Sequence, residues 1–263
     1  MMESQKFTEG EFYQERFDPG AYNDMLYSGL QGHSDEQNFI TFILQRLSKT
    51  FSGGKYRGRT LIDVGSGPTI HSVISASKYF DEFVLSDYTD RNRKEIEKWL
   101  KAEEGCFNWK PVIQYVCELE GRSPSEVESE LRQRVKRVLK CDVRLENPFH
   151  PLNLEPADCV ITSLCLEGAC KDTETYSRAL RSLRALLRPD GALVMVGVLG
   201  ETFYTVAGQK FSCLSLTQSN IEDLLKNLGF TVQEFNVFQP QDKDITLSDS
   251  EGVFHLIALK SVN

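Results

Sequence analysis

The sequence lacks the cysteine and histidine patterns that hold metal ions or build disulfide-rich domains. The chain has seven cysteines, an odd number, and no Cys-x-x-Cys pair. No cysteine and none of the four histidines has a partner at the spacing of zinc ligands. The histidines are dispersed, at His33, His71, His150 and His255, which also argues against a catalytic triad. We therefore expect no metal site and reduced, buried thiols, as in a cytoplasmic protein.

Long apolar runs and an excess of positive charge are also missing. No stretch reaches the roughly 20 apolar residues of a membrane-spanning helix, and the polar opening 1–6 is not expected to act as a secretory signal. The formal net charge of −8 argues against nucleic acid as the main partner, because phosphate backbones select basic surfaces. The basic stretch 132–140 alternates with apolar residues, so we interpret it as a solvated helix face that runs into a strand. We expect no membrane or nucleic-acid partner and a monomeric protein.

Strand and helix patterns alternate through most of the chain after residue 50. The predicted strands are 59–65, 82–87, 137–142, 157–163, 192–198, 230–238 and 252–259, with a hairpin at 202–206 and 210–215. The predicted helices are 70–78, 90–103 with Thr89 as cap, 172–187 with its end marked by Pro189 and Gly191, and 217–228. Such alternation predicts an α/β fold with a doubly wound, mostly parallel seven-stranded sheet.

Two further segments lie outside this alternation. Residues 1–50 are rich in aromatic side chains and contain an amphipathic helix with Ser34 as its predicted cap and Gln37 three residues later. This segment either packs on the core or forms a lid. Residues 104–136 are a polar insert, for which we predict two helices. We expect one domain over residues 1–263.

The most informative motif is Leu61-Ile-Asp-Val-Gly-Ser-Gly-Pro-Thr69, in which a buried strand runs into a pair of glycines. Gly65 and Gly67 have no Cβ, so a ligand can approach the backbone there. Asp87 ends the next predicted strand, where a carboxylate can bind both hydroxyls of a ribose. This combination predicts a nucleotide-like cofactor.

A dinucleotide is the first alternative, and two residues argue against it. The G-x-G-x-x-G fingerprint requires a third glycine where this chain has Ile70. Pro68 removes a backbone N–H where a pyrophosphate would need donors. An NAD-dependent oxidoreductase is therefore disfavoured, and a cofactor without phosphates, such as S-adenosylmethionine, fits better. Asp142 and Val143 follow the third strand and could bind an adenine.

Several motifs together resemble the nicotinamide, indolethylamine and phenylethanolamine N-methyltransferase family. They are Ile62-Asp-Val-Gly-Ser-Gly-Pro-Thr69, Asp87-Tyr-Thr-Asp-Arg-Asn92, Glu97-Lys-Trp-Leu-Lys101, Leu139-Lys-Cys-Asp-Val143, Ala157-Asp-Cys159 and Cys165-Leu-Glu167. The resemblance extends from Phe17-Asp-Pro19 to Gly252-Val-Phe254. It implies a class I, Rossmann-like methyltransferase fold with S-adenosylmethionine as the methyl donor.

The resemblance also implies roles for individual residues at the cofactor. Tyr22 and Tyr27 would cover it, Gly65, Ser66, Gly67 and Thr69 would cradle its methionine part, Asp87 would bind the ribose with Asn92 nearby, Asp142 and Val143 would hold the adenine, and Ser163 would lie beside the donor. His71 stands where the family often has tyrosine, although an imidazole can also donate a hydrogen bond.

For the acceptor, the resemblance implies an acidic set of Glu167, Glu201 and Asp249, with Glu167, Glu201 and Tyr204 as the catalytic candidates. An alkylamine is mostly protonated at pH 7, so carboxylates must bind the cation and one must accept a proton. Other expected substrate contacts are Tyr22, Leu164, Gly197, Tyr204 and Cys213.

Departures from the family's patterns bear on the choice of substrate. Gly197 and Cys213 replace an aspartate and a serine of the nicotinamide enzymes, while Leu26 replaces a polar residue of the phenylethanolamine enzymes. We favour an arylalkylamine acceptor, with nicotinamide as the alternative. A thioether acceptor and a non-catalytic cofactor-binding regulator remain open.

Overall fold

A seven-stranded sheet forms the centre of the computed structural model, which describes residues 7–30, 38–240 and 244–261. The strands are β1 Gly58–Val64, β2 Phe80–Asp87, β3 Val135–Lys140, β4 Ala157–Ser163, β5 Leu187–Leu199, β6 Phe203–Val206, β7 Gln209–Ser212, β8 Phe230–Phe238 and β9 Gly252–Lys260. The spatial order in the main sheet is β3-β2-β1-β4-β5-β9-β8, and β6 pairs with β7 in a separate hairpin. The predicted α/β sheet is confirmed.

Helices precede the first strand and lie in several of the connections between strands. They are α1 Gly10–Arg16, α2 Pro19–Tyr27, α3 Phe39–Ser52, α4 Asp90–Leu100, α5 Lys110–Glu120, α6 Pro124–Arg134, α7 Leu166–Ala169, α8 Thr173–Ala185 and α9 Gln218–Asn227, with 3-10 turns at Ser28–Leu30, His71–Val73 and Ser75–Lys78. No helix in the described ranges is both long and apolar enough to cross a membrane.

Strands β1 to β5 run parallel, whereas β9 is antiparallel to both of its neighbours, β5 and β8. Successive side chains of a strand point to opposite faces. Leu61 and Ile161 accordingly belong to one apolar core, and their chain neighbours Ile62 and Val160 belong to the other. Apolar side chains thus cover both faces of the sheet, as parallel strands require.

Several predicted bounds differ from those in the structure, and three of the differences bear on the fold. The predicted helix 70–78 is two 3-10 turns, in a stretch of serines and β-branched residues that form α-helix poorly. Strand β3 begins and ends two residues early, because the Asp142 N–H bonds to the Pro148 carbonyl instead of a strand. Helix α8 ends at Ala185, and Pro189 and Gly191 lie inside β5, where the register with β4 shifts.

The amino-terminal segment is helical where it is described. Helix α3 begins at Phe39, and Asn38 and Thr41 cap it reciprocally. The predicted cap Ser34 and its partner Gln37 lie outside the described residues. Phe17, which follows α1, packs with Phe211 of the β6–β7 hairpin. This contact brings the amino-terminal helices and the hairpin together over the carboxyl ends of the parallel strands.

Candidate active site

A cavity of about 530 Å³ lies at the carboxyl ends of β1, β2, β4 and β5. Ligands of open parallel sheets bind at this edge. The amino-terminal helices, the β6–β7 hairpin and the segment after β8 contribute the rest of the lining. Most residues that sequence reasoning assigned to the cofactor line this cavity: Tyr22, Gly65, Ser66, Gly67, Thr69, His71, Asp87, Asn92, Asp142, Val143 and Ser163.

The glycine turn after β1 has left-handed backbone at two positions, with φ of +76° at Gly65 and +61° at Gly67. Glycine adopts such angles without steric cost. A Cβ built on Gly65 would overlap the Cys165 sulfur. The predicted close approach of a ligand to the backbone is therefore wrong at Gly65, because the Cys165 side chain fills the space that a Cβ would take. Gly67 is open on that side, and its N–H donates to Asp87 Oδ2 at 2.9 Å.

Four donors hold the Asp87 carboxylate, which is 8 % exposed. Its Oδ1 accepts from the Thr89 N–H at 2.8 Å, from Asn92 Nδ2 at 3.0 Å and from the Thr89 hydroxyl, while Oδ2 accepts from Gly67. Thr89 precedes α4 as predicted, but its hydroxyl serves Asp87 and does not cap the helix. The Asn92 Oδ1 is buried and has no hydrogen-bond partner among the described residues.

Sequence reasoning missed Arg144, which binds the Asp142 carboxylate. Arg144 Nε and Nη2 donate to the two carboxylate oxygens at 2.9 and 2.8 Å, and its guanidinium lies 5.3 Å from the centre of the Tyr88 ring. Burial alone would raise the pKa of Asp142, but the hydrogen bonds and charge of Arg144 outweigh it and lower that pKa. The only sequence signal was an arginine two residues beyond an acid at a strand end.

His71 connects the cavity to the protein interior. Its Nε2 lies 3.0 Å from Ser163 Oγ, and its Nδ1 lies 2.9 Å from the Tyr27 hydroxyl and 2.8 Å from the Thr69 hydroxyl. Burial lowers the pKa of His71 to about 4, so the imidazole is neutral at pH 7. Tyr22 lines the cavity, whereas Tyr27 is 1 % exposed and lies behind His71 against Trp109.

The predicted acceptor residues Glu167 and Glu201 are two carboxylates that line the cavity. Glu167 lies on α7. It is 3 % exposed, and its Oε1 accepts from the Val198 N–H at 3.0 Å. Burial raises the pKa of Glu167 to about 7, because hydrogen bonds from the backbone of Val198 and of Glu167 itself compensate only part of the lost hydration, and the nearby Glu201 charge adds to the effect. This carboxyl can therefore gain and lose a proton near neutral pH.

Glu201 is the second carboxylate, and it is 6 % exposed. The Cys213 thiol donates to its Oε2 at 3.0 Å, and the Ser248 hydroxyl donates to its Oε1. Burial raises the pKa of Glu201, although these two hydrogen bonds oppose the shift. Tyr204 also lines the cavity, and its hydroxyl donates to the Tyr13 hydroxyl at 3.2 Å.

Asp249 does not join these two acids, which corrects the predicted three-acid set. Its Oδ1 accepts from the backbone N–H groups of Thr202 and Phe203 at 2.8 and 3.2 Å, and its Oδ2 accepts from the Thr202 hydroxyl. Burial alone would raise the pKa of Asp249, but these hydrogen bonds lower it. The carboxylate anchors the start of β6 and is absent from the described lining of the cavity.

Gly197 is a second predicted substrate contact that lies behind the described cavity wall. A Cβ built on it would overlap Glu167 Oε1, so Glu167 covers this glycine. The remaining predicted contacts, Leu164 and Cys213, line the cavity, as does Leu26. Lining residues that sequence reasoning left unassigned include Tyr13, Met25, Tyr88, Arg144, Cys165 and Ser248. Within the described ranges, no group of three or more acidic, histidine or cysteine side chains could hold a metal ion.

Comparison with known proteins connects this site to methyl transfer. The chain is 43 % identical over 256 residues to nicotinamide N-methyltransferase from Homo sapiens and to indolethylamine N-methyltransferase from Oryctolagus cuniculus, with 97 % of each chain covered. It is 35 % identical to phenylethanolamine N-methyltransferase from Macaca mulatta, over 94 % of this chain and 89 % of the relative.

A solved structure that resembles this protein is a methyltransferase as well. Magnesium protoporphyrin IX methyltransferase from Synechocystis PCC 6803, crystallised with bound S-adenosylmethionine, superposes with a TM-score of 0.55 at 13 % identity, covering 98 % of this chain and all of the other. At that identity the likeness shows the class I methyltransferase fold alone. The family model described as NNMT/PNMT/TEMT matches residues 5–261. This chain belongs to the NNMT/PNMT/TEMT family of methyltransferases.

Proposed function

We propose that this protein transfers a methyl group from S-adenosylmethionine to the nitrogen of a small arylalkylamine. One observation carries the choice of acceptor. Two buried carboxylates, Glu167 and Glu201, line the same cavity, and Arg144 is the only lysine or arginine in its described lining. Arg144 is already paired with Asp142. The part of the cavity that Glu167 and Glu201 line therefore favours a cationic ligand.

The residues around Asp87 fit an adenosyl cofactor. Asp87 Oδ2 accepts one hydrogen bond from the described residues, which leaves it capacity for a ribose hydroxyl. The buried, unpartnered Asn92 Oδ1 would gain a donor. A cavity of about 530 Å³ is within the usual range for small-molecule sites. When bound, S-adenosylmethionine would supply an electrophilic methyl carbon on a sulfonium sulfur.

The remaining assigned residues would orient the cofactor. Gly65, Ser66, Gly67 and Thr69 would cradle the methionine part, Asp142 and Val143 would hold the adenine, and Tyr22, His71 and Ser163 would lie near the donor. The Tyr27 hydroxyl would act through His71, which it contacts directly. A neutral His71 can accept a hydrogen bond from the Ser163 hydroxyl at Nε2, which leaves the lone pairs of the Ser163 oxygen available in the cavity.

The two acids would perform the acceptor chemistry. Glu201 and Glu167 would pair with the ammonium, and charge-assisted hydrogen bonds are stronger than neutral ones. Glu167, whose pKa burial raises to about 7, would accept the proton that the ammonium must lose before its lone pair can attack. Tyr204 would form an aromatic wall, held by stacking on Phe211 with ring centres 5.3 Å apart. Positioning of this kind supplies up to about 7–11 kcal/mol in favourable reactions.

Nicotinamide is the second candidate acceptor. Its ring nitrogen is neutral at pH 7 and needs no base, and the human nicotinamide enzyme is among the 43 % identical relatives. Against it, Gly197 offers no side chain and Cys213 offers only a weak donor to a carboxamide.

A radiolabelled S-adenosylmethionine assay tests the proposal, with tryptamine, phenylethanolamine, nicotinamide and dimethyl sulfide as acceptors near neutral pH. A higher kcat/KM for the two amines supports it. Preferred transfer to nicotinamide or to the thioether contradicts the assigned substrate class. Cofactor binding without transfer to any acceptor identifies a non-catalytic regulator.

The proposal also covers the domain organisation, the oligomeric state and the compartment of the protein. We propose a single methyltransferase domain over residues 1–263, with residues 1–50 as a lid and 104–136 as a helical insert, acting as a cytoplasmic monomer. All seven cysteines are free, and four of them are buried, which suits a reducing compartment. Size-exclusion chromatography with light scattering tests the monomer.

A further inference from the structure

The Glu167 carboxylate occupies space that a side chain at position 197 would otherwise need. A Cβ built on Gly197 would overlap Glu167 Oε1 and would lie 2.6 Å from Cε1 of Phe254. Cβ atoms essentially never make non-bonded contacts under 3.0 Å, so any other residue at 197 must move one of these groups. Phe254 is fully buried and stacks on Phe235 with ring centres 5.3 Å apart. The Glu167 carboxylate, at the end of a flexible side chain, is the group that can move.

The position of Glu167 is set by the end of strand β4. The last pair between β4 and β5 joins Ser163 to Val196, and the Leu164 N–H donates to the Val196 carbonyl. Alternate residues of β5 direct their N–H groups toward β4, so the next one is that of Val198. The chain has turned into α7 by then, and Glu167 Oε1 accepts this N–H at 3.0 Å. The carboxylate thus takes the place of the next residue of β4.

A side chain at 197 would displace the Glu167 carboxylate from its place beside β5. Moving the carboxylate would leave the Val198 N–H without its acceptor and would carry the charge away from the cavity wall. Glycine at 197 and a carboxylate at the wall therefore depend on each other, although 30 residues separate them in the sequence.

We propose that Gly197 is a specificity-determining residue, because its missing Cβ admits the Glu167 carboxylate to the cavity and thereby selects cationic amine acceptors. The inference rests on the proposed amine methylation. Gly197 contacts neither substrate nor cofactor in this account, so it is a positioning residue that acts through Glu167.

Four proteins test the proposal: wild type, Gly197→Ala, Glu167→Ala and the double variant. Gly197→Ala should lower kcat/KM for tryptamine about tenfold or more, by raising KM because the ammonium loses its partner and by lowering kcat because its proton loses its acceptor. The kcat/KM for nicotinamide should fall less than about threefold. The double variant should lose no more than Glu167→Ala alone, because both changes remove the same carboxylate. Gly53→Ala is the matched control, since a Cβ there meets nothing within 4 Å.

A binding measurement separates specificity from general damage. Calorimetry should show that Gly197→Ala binds S-adenosylhomocysteine as wild type does, while its complex with S-adenosylhomocysteine binds tryptamine more weakly. If Gly197→Ala does not fold, Gly197→Ala with Phe254→Leu makes the same test, because leucine lacks the ring atoms nearest the new Cβ. Unchanged acceptor preference, or losses that add in the double variant, would overturn the inference. Failure of wild type to methylate any amine would instead overturn the proposed function.

Discussion

Thr8 and Ser212 exchange two hydrogen bonds across 204 residues of sequence. The Thr8 N–H donates to Ser212 Oγ at 2.7 Å, and the Ser212 N–H donates to Thr8 Oγ1 at 2.9 Å. The Tyr13 ring packs on Phe211 one residue earlier, with ring centres 4.7 Å apart. The segment before α1 is thus fastened to β7, and it closes one side of the cavity.

Thr8→Val should loosen this closure, because valine keeps the shape of threonine but leaves the Ser212 N–H without its acceptor. We expect S-adenosylhomocysteine to dissociate about three to ten times faster, the effect of losing one hydrogen bond. Stopped-flow fluorescence measures that rate. Thr231→Val, at an exposed position of β8, is the control, and equal rates for the two variants would contradict the closure.

Asp87→Ala should weaken cofactor binding without unfolding the protein. The change removes the acceptor for the Gly67 N–H and the proposed partner of the ribose hydroxyls. Hydrogen bonds to a charged group contribute about 1.5–3 kcal/mol, or about a 10- to 150-fold change in Kd. Calorimetric titration with S-adenosylhomocysteine measures it. Asp81→Ala, at the exposed start of the same strand, should leave Kd unchanged.

Glu167→Gln should make the protein more stable at pH 8 than the wild type, and the advantage should vanish near pH 4. Burial raises the folded-state pKa of Glu167 to about 7, against an ordinary value of 4.5. Folding therefore takes up a proton between these pH values, and the wild-type free energy of unfolding falls as pH rises through that window. Above pH 7 the wild type bears the full free-energy cost of keeping the ionised Glu167 carboxylate buried. Glutamine cannot ionise, and its side-chain oxygen can still accept from Val198.

The advantage should reach up to roughly 3 kcal/mol, from about 1.4 kcal/mol per pKa unit. Urea unfolding at pH 4, 6 and 8 measures it for both proteins. Asp63, whose pKa burial also raises to about 7, contributes equally to both and cancels in the difference. Glu155→Gln, at an exposed position, is the matched control for the substitution itself. A constant difference between Glu167→Gln and wild type would refute the raised pKa.

Asp249→Ala should affect stability more than substrate choice. It removes the acceptor for two backbone N–H groups at the start of β6, at a cost of about 1–2 kcal/mol. The preference for tryptamine over nicotinamide should remain, because Asp249 is absent from the described lining of the cavity. Thermal unfolding and the two-acceptor assay measure these effects. If the folded variant no longer preferred tryptamine, Asp249 would act on the acceptor together with Glu167 and Glu201, which contradicts the prediction.

Sequence periodicity predicted the sheet because each β-strand carries its own signal. Strands β4 and β8 have the predicted bounds, and the parallel order brings the ends of β1 and β2 together. That rule alone placed Gly67 and Asp87 at one edge, where they share a hydrogen bond. Local pattern and general topology were sufficient for this part of the site.

The acceptor part of the cavity depends on contacts that no local pattern encodes. Asp249 and Glu201 are both acids in loops, yet one anchors a backbone turn and the other faces the cavity. The space over Gly197 is filled by a side chain from a different element. The helix predicted over 70–78 is replaced by 3-10 turns, and Ser72 in the first of them bonds to the buried Asp63 instead of facing solvent. Such outcomes are decided by packing between distant segments.

The position of β9 bears on how the chain folds during synthesis. This late strand, residues Gly252–Lys260, separates β5 from β8, and its residues Val253, Leu256 and Ile257 are at most 1 % exposed. A nascent chain that has reached only β8 would leave β5 and β8 without the strand that pairs with both, and both apolar cores without the side chains of β9. The sheet can close only after residue 260 has left the ribosome, so the partly made protein should depend on chaperones until then.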